Sequence, residues 1–176
     1  MTGVAPTYPE EKPVSSKANG RSKAYKEGLE MRSKVLGPDY VARNVRDPAD
    51  FTAPFQDIAT EFGWGTVWKR PGLSLHDRSL VTLAQCIALN RPNEIKVHLR
   101  GAMRNGVTRK ELQELCLHSF LYCGGPASLD AFHVMKATIP EIEALEKSLA
   151  GAKAPKAPKA PKAPKAAKAA KAKKKA

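Results

Sequence analysis

Within the stretch Arg91–Ala127, RPNEIKVHLRGAMRNGVTRKELQELCLHSFLYCGGPA, a glutamate precedes a histidine by four residues twice, as Glu94/His98 and Glu114/His118. On a helix of about 3.6 residues per turn, each pair shares one face. A carboxylate so placed can orient a neutral imidazole or raise its pKa, which suits proton delivery or stabilisation of developing negative charge. The same residue types can ligate a metal. HExxH spacing is absent, however, and Glu-x3-His alone is a weak ligand signal. The plainer alternative is a hydrogen-bonded core histidine, because buried polar groups need partners. His98 flanks the apolar positions Ile95, Leu99, Ala102 and Met103, while Tyr122 follows His118 by one turn, and Arg78 heads the preceding helical pattern. Upstream, FGWGTVWKRPGL (Phe62–Leu73) gathers Trp64, Trp68 and Arg70 in what its glycines and proline mark as a loop. That loop can wall a pocket for an anionic organic ligand, or simply plug the end of a helix bundle.

The elements that must position these groups read as helices throughout. Tyr25, Leu29, Arg32 and Leu36 recur at helical spacing after Ser22, a suitable N-cap, and Gly37-Pro38 signals the stop. Asp50 can cap a second helix over Phe51–Phe62, with Phe55, Ile58, Ala59 and Phe62 on one face. A third helix over residues 75–90 is apolar nearly all round, hence central. Pro92 opens a fourth that ends at Asn105-Gly106, and Thr108-Arg-Lys-Glu111 forms a capping box for the fifth. Gly124-Gly125 ends that helix, a sixth begins at Pro126, and a short last one follows Pro140. No segment sustains period-2 alternation, so the expected fold class is all-α, a bundle of six to seven helices.

With 176 residues, 42% of them hydrophobic, the chain can form one domain with an adequate core. The expected organisation is a disordered leader over residues 1–21, a helical domain over 22–150 and a disordered basic tail over 151–176. No secretory h-region and no bilayer-length apolar run is present, which points to a cytoplasmic protein without a membrane partner. Cys86, Cys116 and Cys123 sit in apolar helical patterns without CxxC spacing and read as small buried hydrophobes.

The net charge of +13 is concentrated at one end. Ten of the 30 basic residues follow residue 152 and no acid does, leaving 20 against 17, or +3, for the rest. The repeats of Lys-Ala-Pro place lysines at every third position from Lys153 to Lys165, one edge of a polyproline II helix. In composition this tail resembles those of linker histones. It suits non-specific, salt-dependent polyanion or nucleic-acid binding by residues 153–176, or plain solubility and tethering. It contains no aromatic residue to stack on bases.

The run from Phe62 to Ala127 resembles the carboxymuconolactone decarboxylase family, within the alkylhydroperoxidase D-like superfamily. The likeness rests on WGTVWKRPGL, DRSLVT, EIKVHLR, NGVTRKEL and LHSFLYCGGPA, and upstream on YKEGLEMRSKVLGPDYV (Tyr25–Val41). It covers about residues 22–145. The superfamily's thiol motif, C-x-x-C-x-x-x-H laid on His98, puts Arg91 and Glu94 where the cysteines would stand, so disulfide-linked peroxidase chemistry is not expected.

What the resemblance implies is cofactor-free decarboxylation of 4-carboxymuconolactone to 3-oxoadipate enol-lactone, in aromatic (protocatechuate, β-ketoadipate) catabolism. The family includes paralogues for other small unsaturated or oxo acids. In this reading Arg70 and Arg78 anchor the carboxylates of a dicarboxylate lactone, and Trp64 and Trp68 desolvate them. His98, oriented by Glu94, is the first choice for proton donor, with His118 and Tyr122 second. No cofactor and no metal is expected. The family also implies a homo-oligomer, trimer or hexamer. The alternative of another class is a nucleic-acid-associated protein that displays its lysine tail from an inert bundle.

Overall fold

A computed structural model describes residues 20–45 and 50–152. The expected leader lies outside them except for Gly20 and Arg21, and the lysine tail except for Gly151 and Ala152. Among the described residues there is no strand, and the helices are α1 (Lys23–Leu36), α2 (Pro38–Asn44), α3 (Ala53–Ile58) with a π-helical continuation (Ala59–Trp68), α4 (Leu75–Ala88), α5 (Pro92–Arg104), α6 (Arg109–Cys123) and α7 (Gly125–Ala152). The domain is therefore all-α, as its lack of period-2 patterning requires. None of these helices is long and apolar enough to cross a membrane.

Two clusters of buried side chains organise the packing. The larger is wholly apolar, with Leu83 and Ile87 of α4, Ile95, Leu99 and Ala102 of α5, Leu112 and Cys116 of α6, and Ala131, Met135 and Ile142 of α7. Each fully buried Leu or Ile contributes roughly 1.5–3 kcal/mol of transfer free energy. The smaller cluster joins Val35 and Leu36 of α1, Val41 of α2 and Trp64 of the π segment, with Leu29, Trp68, Leu75 and Val97 against it. Helix α5 serves both, turning Leu99 to the large core and Val97 to the small one.

Local signals act largely as the sequence dictates. Ser22 caps α1 by accepting from the Tyr25 amide at 3.0 Å. The capping box at α6 is complete: Glu111 Oε2 accepts from the Thr108 amide at 2.7 Å while Thr108 Oγ1 accepts from the Glu111 amide at 3.2 Å. Cys116 is buried, and that burial pushes its thiol up to about 11, as befits a small hydrophobe.

One expectation is extended and two are corrected. Gly37-Pro38 ends α1 but at once starts α2, because Gly37 turns the chain at φ 93° and Pro38 suits a first helical position. The aromatic stretch expected as a loop over Phe62–Leu73 is helical as far as Trp68, in the wide π form. Thr66 Oγ1 marks that form by donating to the Glu61 carbonyl five residues back, at 3.3 Å. Finally, Pro140 does not break α7. Ile142 is buried just beyond it, and Glu143 and Glu146 take salt bridges from Arg109 (2.6 Å) and Arg104 (2.7 Å), so tertiary contacts override the missing amide.

Candidate active site

The smaller cluster holds the polar chemistry, and glycine makes it possible. A Cβ on Gly28 of α1 would stand 2.0 Å from the Thr60 carbonyl oxygen, and one on Gly65 would stand 2.0 Å from that of Ala24. Backbone therefore meets backbone where α1 crosses the π segment, a separation no other residue type permits. Arg21–Asp57 (2.6 Å) and Lys69–Glu27 pin the two ends of this crossing.

Over the crossing lie three near-parallel rings. Trp64 and Trp68, four positions apart on the π segment, stack with centroids 4.6 Å apart at 30°. His98 of α5 faces both at 6.4 Å, tilted 22° to Trp64 and 9° to Trp68. Burial pushes the His98 imidazole below its ordinary 6.5; the Glu94 charge opposes that and the Arg32 charge reinforces it. The imidazole is accordingly neutral near pH 7, one nitrogen bearing a proton and the other a lone pair. No hydrogen bond joins Glu94 to His98 among the described residues. Glu94 is exposed and acts through its field, so the expected orienting pair is corrected to a long-range one.

Arg70 and Arg78 are brought together, the Arg78 Nη2 donating to the Arg70 carbonyl at 3.1 Å. The Arg78 Nε is buried without a partner, whereas the Arg70 side chain is exposed. His118 and Tyr122 do not join the ring cluster in this chain. Their rings lie 4.9 Å apart, tilted at 48°, on the exposed side of α6, a helix packed on α4 and α7. The expectation that they share the His98 pocket is thus corrected for a single subunit: α6 shows its buried stripe to the large core, so this face looks outward.

Two polar residues passed over in the sequence emerge here. Arg32 is buried at 8% exposure, its Nη1 donating to Thr60 Oγ1 (3.0 Å) and its Nη2 to Gln56 Oε1 (2.8 Å), with its guanidinium carbon 6.0 Å from the Trp64 ring. Its signal was a cation on the apolar stripe of α1. His76 is the histidine that does carry carboxylates, meeting Asp77 Oδ1 and Glu111 Oε1 at 3.1 Å each. The Asp77 and Glu111 contacts raise its pKa. It clips the start of α4 to the start of α6, away from the rings. Among the described residues no three His, Cys, Asp or Glu side chains converge as a metal-binding group.

Taken together, the arrangement sets a neutral imidazole against two indoles with a buried guanidinium beside Trp64. A sequence model of the carboxymuconolactone decarboxylase family matches residues 53–137. Over 118 residues, 67% of this chain, it is 48% identical to 4-carboxymuconolactone decarboxylase from Acinetobacter baylyi, covering 88% of that protein. It is also 43% identical over 118 residues to nitrosuccinic acid decarboxylase from Metarhizium robertsii, covering 82% of that protein.

Proposed function

Since the chain belongs to the carboxymuconolactone decarboxylase family, we propose that it is a carboxy-lyase converting 4-carboxymuconolactone to 3-oxoadipate enol-lactone, a cytoplasmic step in protocatechuate catabolism. The observation that carries this reading is a histidine kept neutral by burial against two indoles, in a chain so similar to an enzyme of that name.

The reaction needs little from the protein beyond placement and charge. As the carboxylate carbon departs as CO2, the bonding pair flows through the ring double bond onto the lactone carbonyl, so the substrate is its own electron sink. Trp64 and Trp68 strip water from the leaving carboxylate, which destabilises its charge relative to the dispersed charge of the dienolate. Arg78, extended by Arg70, holds a carboxylate through guanidinium donors. His98 donates to the developing oxyanion or returns the proton to carbon. A bound dianion favours the imidazolium, reversing the effect of burial on His98 just when an acid is required. Glu94 adds to this through its field.

His118 and Tyr122 serve a site only if subunits associate. Phe51, Phe55, Ile58 and Phe62 on α3 and its approaches, with Leu117, Phe120, Leu121 and Leu129 on α6 and α7, are all more than half exposed. An exposed apolar surface of that extent supports a homo-oligomer, for which the family likeness implies a trimer or hexamer. Residues 153–176 supply a non-specific polyanion contact in this reading, separable by truncation at residue 152.

A second substrate is favoured by the Metarhizium relative: nitrosuccinate, another dicarboxylate whose nitro group can take the electron pair. The test is a spectrophotometric assay of each compound with purified protein, with and without chelator. Saturable lactone loss with enol-lactone formation, unaffected by chelation, is expected. No turnover of the lactone would remove the proposal, and turnover of nitrosuccinate alone would replace it with the second reading.

A further inference from the structure

Among the described residues two arginines are buried to the same degree, Arg32 at 8% exposure and Arg100 at 7%, and they are treated differently. Arg100 Nη2 reaches Asp39 Oδ2 at 2.9 Å and Glu146 Oε1 at 3.4 Å, so two carboxylates compensate it. Each leaves its Nε buried without a partner, but Arg32 has only the neutral acceptors Thr60 Oγ1 and Gln56 Oε1 on its Nη atoms and no carboxylate among the described residues. A guanidinium cannot shed its proton to escape this. Burying a charge without a counter-charge is costly, and neutral hydrogen bonds offset only part of that cost.

The position of Arg32 explains why such a charge is tolerated. It lies one turn beyond Gly28, at the closest approach of α1 to the π segment, and spans from the Trp64 ring to Gln56 of α3. On its other side it lines a polar cavity of about 180 Å³ with Tyr40, Arg43, Asn44, Asp50 and Thr52. The one acid there among the described residues, Asp50, already accepts from the Thr52 amide and hydroxyl at 2.6 Å each.

We infer that Arg32 is a carboxylate anchor of the active site, taking one carboxylate of the dicarboxylate substrate beside Trp64 while the reacting end faces His98. The inference rests on the decarboxylase reading for its substrate but not for its anion. Arg32 donors not used by Thr60 and Gln56 complete their bonding only when a carboxylate arrives, so the buried charge becomes binding free energy for an anion. The two anchors then divide the labour, with Arg32 beside Trp64 and Arg78 bonded to the Arg70 carbonyl, two residues past Trp68.

The chain contains two tryptophans, Trp64 and Trp68, both in the cluster, so intrinsic emission reports on this site alone. Full-length wild type, Arg32→Gln and Arg32→Lys would be titrated with succinate by tryptophan fluorescence and assayed with 4-carboxymuconolactone, after circular dichroism and melting establish that each is folded. Wild type is expected to respond saturably to succinate. Arg32→Gln should lose that response and raise KM for the lactone by about tenfold or more, with kcat changing far less, and Arg32→Lys should recover part of both. A folded Arg32→Gln or Arg32→Lys with wild-type KM and wild-type succinate binding would overturn the anchor, as would a wild type blind to succinate. Should Arg32→Gln not fold, the Arg32→Lys comparison decides alone. An Arg32-dependent succinate response without lactone turnover would keep the anchor and discard the decarboxylase reading.

Discussion

The α4–α7 core and the α1/π-segment crossing are built on opposite terms. The first seals Leu83, Ile87, Leu99 and Leu112 from water, and its buried hydroxyls, Ser79, Ser119, Ser128 and Thr138, are each satisfied by a backbone carbonyl. The second brings backbones together at Gly28 and Gly65 and encloses Arg32, Thr60 and His98 among its rings. One region supplies stability; the other spends some of it on groups held away from their preferred solvation. The proposed chemistry lies in the less comfortable region, where a buried histidine and an arginine without a carboxylate stand beside two indoles.

That contrast can be broken most directly at His98. His98→Ala is expected to lower kcat with the lactone by at least about tenfold, within the roughly 10²–10⁴ range of a positioned acid, and to leave the melting temperature nearly unchanged. An unchanged kcat would place the chemistry elsewhere. In the large core the pattern should invert: Leu99→Ala should cost about 2–5 kcal/mol in denaturant unfolding while the remaining folded enzyme keeps its kcat. If kcat fell in step with stability, the two regions would not be separable.

Gly28→Ala probes the boundary with a smaller effect. Its Cβ must push Thr60 away, so about 1–3 kcal/mol of strain is expected together with a changed tryptophan emission spectrum. Unaltered emission would show that the rings do not depend on the crossing. The smallest effect is in pH. The His76 pKa is raised by Asp77 and Glu111, so its contribution to stability is full below the ordinary 6.5 and fades as pH rises through the folded value. The His98 pKa is lowered by burial, so stability is lost as pH falls below 6.5, where the unfolded chain takes up a proton that the folded chain refuses. Unfolding curves of His76→Ala and His98→Ala between roughly pH 5 and 8 should therefore diverge from wild type at the same acidic end with opposite signs. Parallel curves would remove both assignments.

How far the sequence disclosed this division depends on range. Caps act over a few residues, so Ser22 and the Thr108/Glu111 box were legible, as was the stop at Gly124. The aromatic and histidine types at Trp64, Trp68 and His98 marked a pocket, and the fold joined them. The partnership of Arg32 with Thr60 and Gln56, 28 and 24 residues away, has no local signature. Nor has the clip between His76 and Glu111, 35 residues apart. The glutamate spacing misled for a related reason: sharing a helix face allows contact but does not compel it, and Glu94 stays in water. The reading of Phe62–Leu73 as a loop failed as far as Trp68 because Gly65 serves close packing against α1, and a turn was the commoner explanation of its presence.

The π geometry of Ala59–Trp68 also bears on what kinds of genetic change the enzyme can survive. A widened helical turn accommodates extra chain in the same axial space, so removing one residue there would let the segment relax to ordinary α pitch. A deletion between Trp64 and Trp68 would then set the two indoles three α-helical positions apart, about 300° around the axis, where the wide turn now stacks them four positions apart. Trp68 would swing out of register with Trp64 and His98 even with every side chain still present. Point substitutions along this wall remove single contacts, whereas a one-codon deletion would dismantle the site while preserving its whole inventory of residues.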